Sequence, residues 1–471
     1  MFKYLLIILV LFSQKSCAVI KVPQDLPKVF DVINGSCADN EDFCKIDIKL
    51  TPADEKNPSE KWRKIDQITK GDKRFYRRDV IYRGICVEKD GLLPDYNEYL
   101  NDGLRGSIER SYCIGKVKFY ELVDFLDIIL GVSFLCLTGR GKNKYIEIFS
   151  ITNTWRDLRK PENSQASIKL RFIQGMRTIT MVLVITCHNY SVMTLTFSKN
   201  PEYVENFSIQ PVAQILIGSF GFVVQTFFAI SAWLLALKLH SIVKKNGAIT
   251  FKEILILAVN RYFRLIPAMI LIIFLYRSIA MEVFLPPVYF SHLEAEQLRC
   301  RNGWWTNLLF IQNFSIFEGQ MCSPPTWFIA VDTQLYIMTS LLFYLSYKFQ
   351  LSMKLLLGIT VIPALCMQTH LVMTTDFDGL YRVTPRNLPV ELLSTSPEII
   401  FSYINTICNV APYAIGFVFG EIYSKNEQKT IFSTYACKIF WFISFLGLPL
   451  VTILLSLYEF PEKWKHCWLL L

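Results

Sequence analysis

Residues 170–197 of the chain read LRFIQGMRTITMVLVITCHNYSVMTLTF. The last 20 of these residues contain no Lys, Arg, Asp or Glu, and His188 is the one histidine among them. An α-helix needs about 20 apolar residues to cross about 30 Å of hydrocarbon. The stretch therefore predicts a transmembrane helix that carries a histidine at membrane depth.

Apolar segments of similar length recur along the chain. The whole sequence is 52% hydrophobic and only 19% charged, with a mean hydropathy of +0.32. Soluble proteins have about 25% charged residues, so the composition excludes a soluble protein and disfavours a nucleic-acid partner. We predict an all-α multi-pass membrane bundle. Its eight helices are expected at 119–138, 178–197, 212–237, 265–285, 326–347, 354–374, 400–423 and 439–457.

The N-terminal part of the chain differs in character from the bundle. Lys3 precedes an apolar run that ends at Phe12, and the small residues Ser16 and Ala18 follow, so residues 1–18 are a predicted signal peptide. Residues 19–118 contain 19 basic and 18 acidic residues, which predicts a small extracellular or lumenal domain. The remaining segments are the first span with a basic cytoplasmic linker, 119–167, and the main transmembrane domain, 168–471.

Six cysteines on the lumenal side are expected to form disulfides, because that compartment is oxidising. The N-terminal domain contains four of them, and the sequence leaves their three possible pairings open. A zinc site is the competing interpretation, but the domain has no Cys-x2-Cys pair, and we expect no metal. The other two cysteines lie in the loop between the fourth and fifth spans and are expected to pair. The six are Cys37, Cys44, Cys86, Cys113, Cys300 and Cys322.

A lumenal N-terminal domain determines which loops face the cytosol. Four loops then lie on that side, and together they contain 20 Lys and Arg against five Asp and Glu, as cytoplasmic loops do. Glycosylation sequences at Asn34, Asn206 and Asn313 all fall on the opposite side. We therefore predict a multi-pass glycoprotein of the endoplasmic reticulum or plasma membrane. The four loops are 139–177, 238–264, 348–354 and 424–438.

Ionisable residues at membrane depth are costly and therefore indicate where chemistry takes place. Arg177 precedes His188 by eleven positions, and eleven helical steps of about 100° bring both side chains to one face about 16 Å apart. An anionic head group near Arg177 and a reactive centre near His188 would fit one extended ligand. Histidine suits proton transfer because its ordinary pKa of about 6.5 lies near neutral pH. A structural histidine, hydrogen-bonded between helices, is the alternative.

Two further groups of ionisable residues lie in or beside later spans. Arg261 and Arg264 are three positions apart at the predicted start of the fourth span, and arginine forks fit phosphate geometry. Ordinary cytosolic flanking charge is the alternative for this pair. Asp332 is the only acid of the fifth span, four positions before Tyr336, so an arginine or histidine partner is expected for it. Its alternative role is a structural ion pair.

These residues resemble the acyltransferase 3 family of membrane proteins. Arg177 and His188 match its Arg-x10-His motif, and Arg261 with Arg264 matches its Arg-x-x-Arg element. The cysteine-bearing domain ahead of them narrows the resemblance to the nose resistant to fluoxetine type. Three further segments are similar to spans of the family: Phe227-Phe-Ala-Ile-Ser-Ala-Trp-Leu-Leu, Trp327-Phe-Ile-Ala-Val-Asp-Thr-Gln-Leu-Tyr and Asn409-Val-Ala-Pro-Tyr-Ala-Ile-Gly-Phe-Val-Phe-Gly.

The resemblance implies an O-acyltransferase that moves an acyl group from cytosolic acyl-CoA to a hydroxyl of a lipid or another small acceptor. The alternative is a protein that binds or transports lipids or xenobiotics in epithelial membranes without catalysis. Because the family continues for further spans beyond Leu471, the resemblance also leads us to expect a chain truncated at its C-terminus. In the implied mechanism Arg177, Arg261 and Arg264 hold CoA phosphates, His188 is the general base, and Asp332 orients His188 or an arginine.

Overall fold

The computed structural model describes residues 26–32, 41–71, 75–88, 103–114, 170–195, 200–210, 220–277, 290–314, 321–374 and 403–426, with a few single positions besides. Within these ranges the chain forms a small β-sheet domain followed by a set of α-helices. The mostly helical architecture agrees with the predicted bundle. The N-terminal domain adds a sheet, for which the predicted all-α class made no provision.

The N-terminal domain is a four-stranded sheet with one helix. Its strands are β1 (Phe30–Val32), β2 (Glu41–Pro52), β3 (Val80–Glu88) and β4 (Leu104–Ile114), and helix α1 (Glu60–Lys70) follows β2. The strand order is β1-β3-β2-β4. Strand β2 pairs antiparallel with both β3 and β4, whereas β1 pairs parallel with β3.

The central strand β2 shows why this domain folds as a sheet. Alternate residues of a strand point to the same face, and Ile46, Ile48 and Leu50 are all 0% exposed, while the residues between them are half-buried. Cys44 continues this buried row and lies opposite Cys113 of β4, with which it forms a disulfide. One of the pairings that the sequence left open is thereby assigned.

Eight α-helices follow within the described ranges. The largest apolar core lies between α4, α7 and α9 and includes Phe228, Leu235, Val331 and Phe417. The helices are α2 (Arg171–Leu195), α3 (Pro201–Ile209), α4 (Phe220–Asn246), α5 (Phe251–Arg277), α6 (Phe290–Leu308), α7 (Trp327–Lys348), α8 (Met353–Thr374) and α9 (Val410–Lys425).

Four of the eight predicted spans are confirmed as helices that are long and apolar enough to cross a membrane, within the part of the chain described: α4, α5, α7 and α8. The predicted second span overlaps α2, and the seventh overlaps the 16-residue helix α9. The signal peptide at 1–18 and the spans at 119–138 and 439–457 lie outside the continuous described ranges.

The prediction that residues 238–264 form a loop is wrong, because helices occupy nearly all of this segment. Helix α4 continues to Asn246 and α5 begins at Phe251, so only residues 247–250 connect the two helices. Gly247 has a φ of 75°, and its N–H donates to the Val243 carbonyl oxygen at 2.8 Å. A glycine in this left-handed conformation ends many helices. The polar residues at both helix ends gave the sequence its loop-like character.

Thr250 and Glu253 determine where α5 begins. The Thr250 N–H donates to Glu253 Oε2 at 2.7 Å, and the Glu253 N–H donates to the Thr250 hydroxyl at 3.4 Å. This reciprocal arrangement is a capping box. Helix α5 therefore starts well before residue 265, the predicted beginning of the fourth span, and Pro267 lies inside the helix rather than in its first turn.

Two glycines of α9 lie in close contact with the backbone of α4. A Cβ atom on Gly416 would overlap backbone atoms of Ala229, and one on Gly420 would lie 2.7 Å from the Trp233 carbonyl oxygen. Small residues four positions apart allow this close approach of helix backbones. This close packing holds α9, which carries Tyr413, against α4.

The segment between α6 and α7 contains one confirmed prediction and one correction. Cys300 and Cys322 form the expected disulfide. Asn313, a predicted glycosylation acceptor, is 3% exposed, and its side-chain nitrogen donates to the Thr406 hydroxyl at 2.9 Å. Because that nitrogen is buried and bonded, a glycan has no access to it, and the structure contradicts the prediction for Asn313.

Candidate active site

An ion pair between two membrane-spanning helices lies at the centre of the candidate site. Arg261 of α5 donates from a terminal guanidinium nitrogen to Oδ2 of Asp332 on α7, and both side chains are 11% exposed. The same nitrogen lies 3.4 Å from the hydroxyl of Ser231 on α4. The Arg261 guanidinium also covers the Tyr336 ring, 4.3 Å from its centroid. Three helices thus meet at one polar cluster.

Asp332 has the basic partner that its position in an apolar span demands. Of the two expected kinds of partner, an arginine or the histidine, the ion pair is with Arg261. An unpaired carboxylate here would cost several kcal/mol of desolvation free energy. The pairing also corrects the predicted position of Arg261, because its side chain points into the bundle instead of flanking the start of a span.

Three polar atoms of this cluster have no hydrogen-bond partner among the described residues. They are Nε of Arg261, Oδ1 of Asp332 and the hydroxyl of Tyr413 on α9. Tyr413 is 1% exposed, and its hydroxyl is close to Ser231. Buried polar groups are nearly always hydrogen-bonded. A carboxylate oxygen that accepts and a hydroxyl that donates would together suit a ligand with a hydroxyl group.

Ser231 and Tyr413 are site residues that the sequence analysis missed. Each is a polar residue within an apolar stretch of its helix, and that was a signal available in the sequence. The sequence did not reveal that the two face the same point, because this depends on how closely α9 packs on α4.

Arg264 lies one helical turn beyond Arg261 and behaves differently. Its side chain is exposed, whereas that of Arg261 is largely buried. The Arg264 charge still acts on Asp332, the anion that Arg261 contacts directly. Asp332 therefore pairs with Arg261 alone among the two arginines, and Arg264 is directed towards the surface of the described bundle.

His188 and Arg177 both lie on α2, as predicted, and both are half-buried. Nδ1 of His188 is 2.8 Å from the carbonyl oxygen of Val184. A carbonyl oxygen only accepts hydrogen bonds, so Nδ1 carries the proton in this contact. In the neutral imidazole the lone pair then belongs to Nε2. This assigns Nε2 as the basic atom of the ring.

Helix α2 packs beside α4, which also carries part of the polar cluster. Val184 packs against the largest apolar core, and the Phe172 ring lies 5.6 Å from the ring of Trp233 on α4. Ser231 is two residues before Trp233 on that helix. The structure thus brings Arg261 and Asp332 into direct contact, while Arg177 and His188 lie along a neighbouring helix.

The described helices thus combine an imidazole on α2 with a buried arginine–aspartate pair between α5 and α7. Residues 170–471 match the acyltransferase domain of the acyltransferase 3 family, and the chain belongs to this family. The family resemblance noted in the sequence is thereby confirmed.

A curated relative supports the same family. The chain is 24% identical over 315 residues to Nose resistant to fluoxetine protein 6 of Caenorhabditis elegans. The match covers 61% of this chain but only 36% of the relative, so the chain spans little more than a third of that protein's length. No solved structure matches the chain.

Proposed function

We propose that the protein is a membrane O-acyltransferase that transfers an acyl group from acyl-CoA to a hydroxyl of a lipid or another small acceptor. Membership of the acyltransferase 3 family supports acyl transfer as the reaction class. The observation that carries the mechanism is the contact between His188 Nδ1 and the Val184 carbonyl. This contact leaves Nε2 as the atom that can accept a proton.

In the proposed reaction, Nε2 of His188 takes the proton from the acceptor hydroxyl while the hydroxyl oxygen attacks the thioester carbonyl carbon. The carbon–oxygen bond forms, and the carbon–sulfur bond of acyl-CoA breaks. The departing CoA thiolate then takes the proton from the imidazolium. A positioned general base contributes about 10²–10⁴ to such a rate.

Exposed positive charge would hold the phosphates of acyl-CoA. Arg264 is exposed and Arg177 is half-buried, so both guanidinium groups can reach a ligand. One arginine side chain often donates two parallel hydrogen bonds to the oxygens of one phosphate. Arg261 is already bonded to Asp332, and we assign a positioning role to Arg261 and Asp332. Their ion pair orients α5 and thereby sets the direction of the Arg264 side chain.

The acceptor would enter from the lipid phase. Ile179, Val182 and Ile185 of α2 are between 53% and 58% exposed, which suits contact with lipid chains. Because the same helix carries His188, an acceptor dissolved in the membrane could reach Nε2 from the side. We place this reaction in the endoplasmic reticulum or plasma membrane, with the N-terminal domain on the lumenal or extracellular side.

Acyl transfer can be measured in membranes that contain the full chain. Acyl-CoA labelled in its acyl chain is added with candidate hydroxyl acceptors, and label in the lipid extract is compared with the free CoA thiol released. We expect equal amounts of the two products. Labelled lipid that crosses the membrane without release of CoA would instead support the transport alternative.

A variant pair tests the proposed phosphate contact. Arg264→Ala is expected to raise the KM for acyl-CoA about tenfold or more, since a hydrogen bond to a charged group contributes about 1.5–3 kcal/mol. Lys252→Ala removes another exposed basic residue of α5 and is expected to leave this KM unchanged. Equal KM values for the two variants would contradict the role of Arg264.

A further inference from the structure

A buried ion pair joins the N-terminal domain to the helical bundle. Arg78, just before β3, donates from one guanidinium nitrogen to both carboxylate oxygens of Glu205 on α3, at 2.7 Å each. The two side chains are only 4% and 1% exposed. The backbone N–H of Tyr76 donates to the same carboxylate at 2.9 Å. Two donors of the N-terminal domain thus converge on one acid of the bundle.

An apolar cluster that joins the two parts of the chain includes the neighbour of Glu205. Val204, the neighbour of Glu205, is 1% exposed and packs with Val29, Val80 and Tyr82 of the N-terminal domain. Breaking a buried pair by removing one partner leaves the other charge uncompensated. The N-terminal domain is therefore held against α3 by a specific contact, in addition to the chain that connects them.

The same contact extends to the helix that carries His188. The Tyr76 hydroxyl donates to the Thr194 carbonyl oxygen at 3.5 Å, in the last turn of α2. Carbonyl groups in a last turn lack partners inside their own helix. Thr194 follows His188 by six residues, which is about 9 Å along the helix axis. Tyr76 therefore contacts the end of α2 that is nearer to His188.

We infer that the N-terminal domain, through Arg78 and Tyr76, positions His188 for acyl transfer. The inference rests on the proposed function for the role of His188 as general base. Arg78 and Tyr76 touch no reacting atom. They hold α3 and the last turn of α2 in place. They thereby set the position of His188 Nε2 relative to the acceptor hydroxyl.

The positioning role has a kinetic signature. Loss of the contact would let the end of α2 near His188 shift, whereas Arg177 lies near the opposite end of the same helix. We therefore expect a lower kcat with an unchanged KM for acyl-CoA. Because a loss of folded protein also lowers the apparent kcat at unchanged KM, kcat is expressed per amount of folded enzyme in each preparation.

Arg78→Ala in the full chain tests the inference, with Arg77→Ala as the matched control. Arg77 binds Asp79 within the N-terminal domain, at 2.9 and 2.6 Å, and is the sequence neighbour of Arg78. A lower kcat with unchanged KM is expected for Arg78→Ala and a wild-type kcat for Arg77→Ala. Equal kcat values for the two variants would overturn the inference.

Two native cysteines report on helix position independently of activity. Cys187, beside His188, and Cys408, just before α9, are both buried and lie outside any disulfide. Arg78→Ala is expected to raise the rate at which N-ethylmaleimide alkylates Cys187 about tenfold, which corresponds to about 1.4 kcal/mol. The rate at Cys408 is expected to stay constant. Alkylation is mapped by mass spectrometry of the peptides.

A higher alkylation rate at both cysteines would indicate that Arg78→Ala unfolds. In that case the variant Tyr76→Phe, which removes only one hydroxyl, tests the inference. Unchanged kcat and unchanged Cys187 alkylation in Tyr76→Phe would overturn the inference. If the wild-type protein transfers no acyl group, the proposed function fails. Alkylation of Cys187 then still determines whether the N-terminal domain holds α2.

Discussion

The guanidinium of Arg261 and the carboxylate of Asp332 join α5 to α7 inside the bundle. The Ser231 hydroxyl of α4 lies 3.4 Å from the same guanidinium nitrogen, so a polar contact sets the relative positions of three helices. One oxygen of Asp332 has no hydrogen-bond partner among the described residues. An incompletely satisfied buried group is typical of a site that receives a further ligand.

Removal of one partner of this ion pair is expected to destabilise the bundle. Arg261→Ala leaves Asp332 as an unpaired buried carboxylate, and breaking such a pair costs about 3–5 kcal/mol. The double variant Arg261→Met/Asp332→Leu removes both charges and should regain most of the stability without regaining acyl transfer. Thermal stability in detergent and acyl transfer are measured on the same preparations. A fully active double variant would show that the pair is structural only.

Replacement of Gly416 by alanine is expected to separate α9 from α4. The added Cβ would overlap the backbone of Ala229, and overpacking of this kind costs about 1–3 kcal/mol. Gly358→Ala in α8 is the control, because no atom lies within 4 Å of a Cβ at that position. We expect a lower unfolding temperature for the first variant only. Equal temperatures would contradict the close approach of the two helices.

Loss of the capping box is expected to unravel the first turn of α5. Glu253→Ala removes the acceptor for the Thr250 N–H, and loss of a cap costs about 1 kcal/mol. Lys252→Ala, at the neighbouring exposed position, should have no such effect. Hydrogen exchange of residues 251–254, followed by mass spectrometry, measures the fraying directly. Unchanged exchange in Glu253→Ala would place the start of α5 elsewhere.

Asn313 is expected to carry no glycan. Its side-chain nitrogen is buried and donates to the Thr406 hydroxyl, so a glycan on this nitrogen is incompatible with the folded structure. Asn313→Gln should therefore leave the mobility shift caused by peptide N-glycosidase unchanged, while the longer side chain lowers thermal stability. A smaller shift in this variant than in the wild type would contradict the buried position of Asn313.

Much of the helical bundle was predictable from hydropathy, because four apolar stretches coincide with helices that can span a membrane. The boundary of α5 was not predicted, although Thr250 and Glu253 have the spacing of a capping box. Arg261 and Arg264 were predicted to lie at the start of a span because basic residues usually lie outside the apolar part of a span. Arg261 instead lies inside the bundle because it pairs with Asp332, and this tertiary contact is not visible in the local sequence.

The candidate site was predictable only in part from the sequence. An acid alone in an apolar span requires a partner, so Asp332 predicted a contact with an arginine or the histidine, and the partner is Arg261. Ser231 and Tyr413 join the site only because α9 packs closely against α4. The spacing of residues within one helix does not predict this packing. The docking of Arg78 on Glu205 connects residues 127 positions apart, and it likewise left no local signal in the sequence.

The most direct test of the account is acyl transfer by His188→Ala compared with Asn189→Ala. Asn189 is the exposed neighbour of His188 on α2, so its replacement controls for any change to the helix itself. With labelled acyl-CoA in membranes, His188→Ala should lower turnover about 100-fold or more, the contribution of a positioned general base. Asn189→Ala should retain wild-type turnover. Undiminished transfer by His188→Ala would contradict the central claim.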